Sequence, residues 1–516
     1  MSHLGFWNFA QKDPAALAFV DPNGREWSRQ EMLSACNRIV HGLRALGLKK
    51  GDCVAAVLPN GAEMIQLYLA VAQAGWYLTP INHHLTAPEI AYIVADCEAK
   101  AFIGHERFGD ACSGAAKEFV LPDEARFAGG HLPGFRPFSE LESGQPDSMP
   151  EDRAAGQVMN YTSGTTGKPK GVRRALAPLD PDTVATLMTG FLGLFGIQPE
   201  DQNVHICGSP LYHTAVLVFA SSSLHMGHPM VLMDKWTPQD MLERIEKYRA
   251  TTSHMVPTQF HRLLALPEEV RARYDVSSCR TMVHAAAPCP VETKLRMLEW
   301  WGDSIWEYYA ATEGGGTVIG PEEWKKFPGT VGKPWTGSEI RILDDDGKDC
   351  PTDGTGNVYI KLGAADFEYK GDKKKTDENR REGFFTVGDI GYLNEEGYLF
   401  LCDRKSDMII SGGVNIYPAE IENVLLTHPK IADAAVFGIP HEDWGEEVKA
   451  VIEPAGDADS GEALAVEILD FCRDKLAKYK TPRSIDFTND MPRDPNGKLY
   501  KRKLRDPYWE GRERSI

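Results

Sequence analysis

The apolar positions early in the chain fall into two alternating textures. Asp52-Cys-Val-Ala-Ala-Val-Leu58 holds a short unbroken apolar run, too short for a helix, and predicts a buried strand. Met64, Ile65, Leu67, Leu69, Ala70 and Ala72 then fall at mixed spacing between Glu63 and Ala74, the pattern of a helix buried on most of its surface. Lys100-Ala-Phe-Ile-Gly104 predicts a further strand. Strand and helix in alternation lead to an α/β architecture on mostly parallel sheets.

From Asn357 the period changes. Val358, Ile360 and Leu362 alternate with polar neighbours, and Tyr398, Phe400 and Cys402 alternate with Leu399 and Leu401, which predicts antiparallel strands joined by glycine turns. After Arg404 it changes again. Pro418 opens a helix with Ile421, Val424 and Leu425 on one face. Strands over Ala432–Gly438 and Glu447–Glu453 follow, then a helix carrying Leu464, Ile468, Leu469, Cys472 and Leu476. Together these make an α+β unit of about 110 residues, enough to fold alone. The expected division is therefore 1–403 and 404–516, with the boundary inside Cys402–Ser406.

Composition narrows the classes. A chain of 516 residues needs more than one core. A formal charge of −18 disfavours nonspecific binding to nucleic acid. Ten cysteines without a CxxC pair, no basic-then-apolar leader, and no run of roughly 20 apolar residues predict a cytoplasmic protein with reduced thiols and no membrane span.

The strongest chemical signal is Tyr161-Thr-Ser-Gly-Thr-Thr-Gly-Lys-Pro-Lys-Gly-Val172. Its glycines and small hydroxyl residues leave backbone N–H groups open to phosphate oxygens, and Lys168 and Lys170 add charge. Pro169 stands where a Walker loop would need Ser or Thr for Mg²⁺, so it is a different phosphate loop.

This string resembles the phosphate loop of the adenylate-forming superfamily: acyl-CoA synthetases, firefly-type luciferases and nonribosomal-peptide adenylation domains. The matching segments run in family order from about residue 25 to residue 505. The resemblance implies a large N-terminal domain of stacked α/β subdomains with a small β-barrel-like part, and a small mobile α+β lid. It implies ATP and Mg²⁺ as cofactors and coenzyme A as co-substrate, with Thr162, Ser163, Gly164, Thr165, Thr166, Gly167 and Lys170 around the phosphates.

Tyr308-Tyr-Ala-Ala-Thr-Glu-Gly314 resembles the family's aromatic-x-x-Thr-Glu segment. By that resemblance Tyr309 stacks on adenine and Thr312 bonds the α-phosphate. Glu313, with Thr165, helps hold Mg²⁺, which prefers hard oxygen ligands. Glu307 and Tyr308 fall where the family meets the adenine edge by main chain or side chain. Asp389 would accept the ribose hydroxyls and Arg404 would reach the ribose and phosphates. Gly412 and Gly413 would line the pantetheine path. Lys498, in Pro492-Arg-Asp-Pro-Asn-Gly-Lys498, matches the catalytic lysine that bridges carboxylate and α-phosphate. His213 matches a histidine beside the acyl site, and Ala285, Ala286 and Ala287 match the acyl wall, where relatives read Gly-Gly-Ala.

Two positions depart from the family pattern. Ser406 stands where many relatives carry Asp or Lys as the pivot of lid rotation, and Gly412 where the ligase branch often has Lys. The reading is an AMP-forming acyl-CoA synthetase for a hydrophobic acid, suggested by Leu211, Val216, Leu217, Val218, Phe219 and Met226. Fatty, aromatic and polycyclic acids all fit, and such acids partition into bilayers, so transient contact with a membrane surface fits as well. An amino-acid adenylation enzyme is the lesser alternative. No acid lies between Thr214 and Ser223 to meet a substrate ammonium, and a buried ammonium without a partner is costly.

Overall fold

The computed structural model describes residues 4–162, 169–311, 314–363, 368–369, 376–377, 379–456, 458, 460–493 and 499–511. The chain divides into two compact units. One comprises Met1–Met255, Pro267–Val283 and Ala364–Glu378; the other comprises Val256–Leu266, His284–Gly363 and Asn379–Ile516.

In the first unit, helices α1 (Arg29–Ala45), α2 (Ala62–Ala74) and α3 (Ala87–Asp96) accompany strands β1 (Cys53–Ala56), β2 (Tyr77–Pro80), β3 (Ala99–His105) and β4 (Arg126–Gly129). β1 lies between β2 and β3, β4 follows β3, and every pairing is parallel. α1 and α3 each open on a capping box, Ser28 with Glu31 and Thr86 with Glu89, which satisfies N–H groups the first turn leaves open. Alternate residues of β1 serve different cores. Val54 and Ala56 pack with Met64, Leu67 and Val71 of α2, whereas Cys53 and Ala55 pack with Ile90, Ile93 and Val94 of α3. A strand covered on both faces reads as an unbroken apolar run.

The same unit carries the antiparallel pair β5 (Asn160–Thr162) and β6 (Lys170–Arg173). It also carries a second parallel set, β7 (His205–Cys207) between β8 (Met230–Leu232) and β9 (Thr252–Met255); β10 (Thr281–His284), of which Thr281–Val283 belong to this unit, lies next to β9. Helix α4 (Thr214–His225) packs on β7, β8 and β9. Several imidazoles are enclosed here, His205, His225, His228 and His254 among them. His205, His225 and His254 are at most 3% exposed. Burial pushes their pKa down, to about 3 for His205 and His225 and about 4 for His254. His225 Nδ1 accepts the Phe6 N–H at 3.1 Å, a bond available only to the neutral ring.

The second unit holds helices α5 (Pro257–Leu264) and α6 (Val291–Trp301), and the antiparallel pair β11 (Ile305–Ala310) and β12 (Gly316–Ile319). An antiparallel sheet follows, with β13 (Gly356–Leu362), β14 (Asp389–Leu393) and β15 (Leu399–Arg404) adjacent in that order. Beyond it come α7 (Pro418–Leu425), β16 (Ile431–His441), β17 (Gly445–Pro454), α8 (Glu462–Lys475) and the short α9 (Lys501–Arg505). The expected final helix stops one residue before Leu476, which caps it in an extended conformation. β16 and β17 form a long antiparallel ribbon with a core on each face. Ala434, Val436, Val448 and Ala450 meet Ile421, Leu425, Leu464 and Ile468 on one side; Ala435, Phe437 and Val451 meet Met491, with Leu499 and Leu504 against them, on the other. Among the described residues no helix is long and apolar enough to cross a membrane.

Candidate active site

In the first unit, β5 and β6 pair Thr162 with Lys170 and Tyr161 with Gly171, so the two ends of the phosphate-loop string lie side by side. Ser163, Gly164, Thr165, Thr166, Gly167 and Lys168 lie outside the described residues. The hairpin is pinned from behind. The Tyr161 hydroxyl donates to Asp96 Oδ2 at 2.5 Å, and burial with that carboxylate pushes the phenol pKa well above its ordinary value. A Cβ on Gly171 would stand 2.9 Å from the Tyr161 ring, so packing demands glycine there. Asn160 donates its amide to the Thr214 hydroxyl, which brings β5 against the start of α4. His213 is the N-cap residue of α4, half-buried, with its ring 4.3 Å from that of Tyr212. The turn before it is clamped by Asn60, which donates to the Ser209 and Met233 carbonyls at 3.0 and 2.9 Å and accepts the Leu211 N–H at 2.8 Å.

The apolar residues around His213 are already committed. Leu211, Val216, Leu217 and Phe219 are each 1% exposed and Met226 is 3% exposed. Their apolarity is accounted for by packing, and among the six only Val218 is half-buried.

In the second unit the ladder between β14 and β15 places Asp389 directly opposite Arg404. Arg404 Nε lies 3.5 Å from Asp389 Oδ1, and the Tyr309 hydroxyl donates to Asp389 Oδ2 at 2.6 Å. Three residues expected at the nucleotide are thus one cluster. A carboxylate has about four acceptor sites, so two neighbours leave capacity for a vicinal diol. The guanidinium is half exposed, within reach of an anion. Tyr308 alternates to the interior and is buried, with its phenol pKa pushed up by burial. Thr312 and Glu313 lie outside the described residues.

Glu307 has a different environment from a solvated acid. Its Oε2 lies 2.5 Å from Lys294 Nζ and 3.5 Å from His284 Nε2, and Lys294 is fully enclosed, 4.4 Å from the centre of the Trp324 ring. Burial lifts the Glu307 pKa even with this cation beside it. The carboxylate is thus held in a buried ion pair with Lys294. Lys294 was not singled out from the sequence. It falls on one stripe of α6 with Met297, Leu298 and Trp301, all buried, and a lysine at such a place signals a buried partner.

Removing one member of a buried ion pair strands the other, at a cost of about 3–5 kcal/mol. Lys294→Met is expected to lose that much in urea unfolding, and Lys294→Met with Glu307→Leu to regain most of it. A carboxyl whose folded pKa is raised is penalised increasingly as pH rises above its unfolded value near 4.5, so the single variant should be relatively better at pH 5 than at pH 8. A loss of equal size in the double variant would contradict the pairing.

His284 leads into the expected acyl wall. Ala285 is buried, Ala286 exposed and Ala287 half-buried. Ala286 has φ of 72°, a left-handed conformation that costs an alanine about 1 kcal/mol. Gly412 and Gly413, at φ of 57° and 79°, form the two-residue turn between Ile409–Ser411 and Val414–Ile416. Both positive angles are what such a hairpin requires, so the turn alone explains both glycines. Lys498 lies outside the described residues.

A profile described as AMP-binding enzyme matches residues 6–364, and one described as AMP-binding enzyme C-terminal domain matches residues 420–498. A fatty acid–[acyl-carrier-protein] ligase, ScoC, from Streptomyces coeruleorubidus is 31% identical, covering 98% of this chain and 96% of its own. A long-chain-fatty-acid–CoA ligase, FadD13, from Mycobacterium tuberculosis is 30% identical over 98% of this chain and 99% of its own. The crystal structure of an anthranilate CoA ligase, AuaEII, in complex with anthranoyl-AMP superposes with a TM-score of 0.84 at 25% identity, over 98% of each chain. With one profile spanning most of its length and relatives of about equal size at 30% identity or more, the chain belongs to the AMP-binding enzyme family.

Proposed function

We propose that this chain is an acid–thiol ligase that uses ATP to convert a hydrophobic carboxylic acid to its acyl-adenylate, then passes the acyl group to coenzyme A. The observation that carries the reading is the Tyr309–Asp389–Arg404 cluster, in which a phenol and a guanidinium hold a carboxylate with capacity left for a ribose. Family membership supplies the chemistry to go with it.

In the first step a carboxylate oxygen of the acid attacks the α-phosphorus and pyrophosphate leaves. Two anions must meet, so a cation bridging them lowers the barrier most in the transition state; that role is assigned to Lys498. Mg²⁺, with Glu313 and Thr165 as protein oxygens, would neutralise phosphate charge when bound. Thr162 and Lys170 hold the ends of the loop that would embrace the phosphates, Tyr309 would face the adenine, and Asp389 would fix the ribose. In the second step the thiol attacks the acyl carbon and AMP departs. The domain reading is part of the same proposal: residues 404–516 act as a lid turning about Cys402–Ser406, and Gly412 and Gly413 pass the pantetheine arm. His213, Ala285, Ala286 and Ala287 border the acid. The setting proposed is the cytoplasm.

The acid is a fatty or an aryl acid, the two classes that the names of the relatives carry. Purified protein with ATP and Mg²⁺ is expected to release pyrophosphate with at least one member of a panel of fatty, aryl and polycyclic acids, and to form thioester only when CoA is added. Replacing CoA with a phosphopantetheinyl carrier protein tests the acceptor named for ScoC. Absence of pyrophosphate release across the whole panel would overturn the reading.

A further inference from the structure

The segment that carries Lys498 is bolted at both ends. On its N-terminal side, Arg493 makes a two-pronged bond to Asp433 of β16, Nε to Oδ2 at 2.5 Å and Nη2 to Oδ1 at 2.7 Å. Across the segment, Arg493 and Leu499 form an antiparallel bridge, and the Tyr500 N–H donates to the Pro492 carbonyl at 2.8 Å. On its C-terminal side, Lys501 Nζ lies 2.8 Å from Glu422 Oε1 of α7, with both side chains largely buried. The same Glu422 oxygen accepts the Val436 N–H of β16 at 2.7 Å. Two charge pairs therefore tie the flanks of the Lys498 segment, one to β16 and the other to α7, where Glu422 itself bonds β16.

The C-terminal flank also reaches the expected hinge. Arg505, at the far end of α9, donates from Nη1 to the Ser406 carbonyl at 3.3 Å and lies 3.7 Å from Asp407. Asp403, one residue before Arg404, accepts the Ala419 N–H at 2.8 Å and the Arg404 N–H at 2.7 Å. Burial alone would lower the Lys501 pKa, but Glu422, Asp403 and Asp407 outweigh it and raise it, so this ammonium stays charged. Burial raises the Asp403 and Glu422 pKa in turn, since several carboxyl groups share one cation. The Asp403–Arg404 bond joins this segment to the nucleotide cluster, whereas the Arg493, Lys501 and Arg505 pairs named above are made with other residues.

Building on the proposed role of Lys498, we propose that Arg493, Lys501 and Arg505 are positioning residues that hold Lys498 in register with the hinge, so that turning the 403–407 segment and placing the lysine are one motion. Ser406 takes part through its carbonyl, which any residue type supplies. The departure from Asp or Lys at that position then costs the hinge nothing.

The test separates the two half-reactions. ATP–pyrophosphate exchange with an accepted acid reads adenylate formation, and thioester yield from purified acyl-adenylate plus CoA reads the step that does not use Lys498. Arg493→Met, Lys501→Met and Arg505→Met are each expected to lower exchange by about 10- to 100-fold, as an ångström-scale misplacement does, and to leave thioester yield within about threefold. Lys501→Arg, which keeps the charge, is expected to restore most of the exchange, and Arg493→Lys, which keeps the charge but not the two-pronged bond, only part of it. If Lys501→Met does not fold, Lys501→Met with Glu422→Gln removes the stranded carboxylate and takes its place. Folded variants that lose both half-reactions equally, or that keep full exchange, would overturn the proposal. Lys498→Ala serves as reference: if it keeps exchange, the catalytic reading fails and the positioning role falls with it, whereas full exchange in the flanking variants beside a Lys498→Ala that has lost it overturns positioning alone.

Discussion

Replacing Lys498 with alanine is expected to lower adenylate formation by about 10²–10³-fold or more while leaving thioester formation from supplied acyl-adenylate intact. The magnitude follows from removing one donor that meets charge developing in the transition state. The selectivity follows from the chemistry of the second step, in which AMP leaves a neutral acyl carbon and no second anion approaches phosphorus. The measurement is pyrophosphate exchange beside a thioester assay on the same preparation. Equal loss in both would mean that Lys498 holds the fold or the shared nucleotide site. Asp389→Ala provides the contrast, because its partners Tyr309 and Arg404 belong to the nucleotide cluster and should matter to both steps.

The second large effect concerns acid. His205, His225 and His254 are neutral in the folded protein, with pKa values near 3 to 4, against about 6.5 in an unfolded chain. Below pH 6.5 the unfolded state takes up protons that the folded state refuses. Stability from these rings is therefore complete above pH 6.5 and declines as pH falls toward 4, by about 1.4 kcal/mol per ring per unit. At pH 5 each ring costs about 2 kcal/mol and the three about 6, comparable with the whole margin of many domains. Urea unfolding at pH 7 and pH 5 should show a marked fall in midpoint, and the loss should shrink by about 2 kcal/mol when His254 is replaced by Phe. A midpoint unchanged between the two pH values would show that the rings are not enclosed as neutral imidazoles.

Much of the backbone was legible because its signals are local. The helix expected over Glu63–Ala74 runs Ala62–Ala74, and the strand expected at Lys100–Gly104 runs Ala99–His105, since a short apolar run or a buried stripe decides each alone. The C-terminal strands run longer than the alternation suggested, because ribbon pairing carries β16 through Gly438 to His441, beyond the apolar pattern. What depends on pairing between distant residues was not legible. That Asp389 faces Arg404 follows from ladder register, and only the family resemblance put the two in one site. Glu307 was placed at the adenine edge by the resemblance alone, and its pairing with Lys294 was not legible because that partner lies on another element. The apolar stretch after His213 suggested a greasy substrate, but side chains at 1% exposure line a core, and the hydrophobic acid now rests on the relatives. Gly412 and Gly413 looked like a passage, and the hairpin needs them in any case.

The two-faced ribbon of β16 and β17 has a consequence for the end of the chain. Met491, Leu499 and Leu504 cover its second face, so the tail that carries Lys498 also shields that surface. A protease cut just before Met491 would not yield a trimmed but intact module. It would strip Phe437 and Val451 of their cover and leave a greasy, self-adhesive sheet, so loss of the lysine and loss of solubility would arrive together.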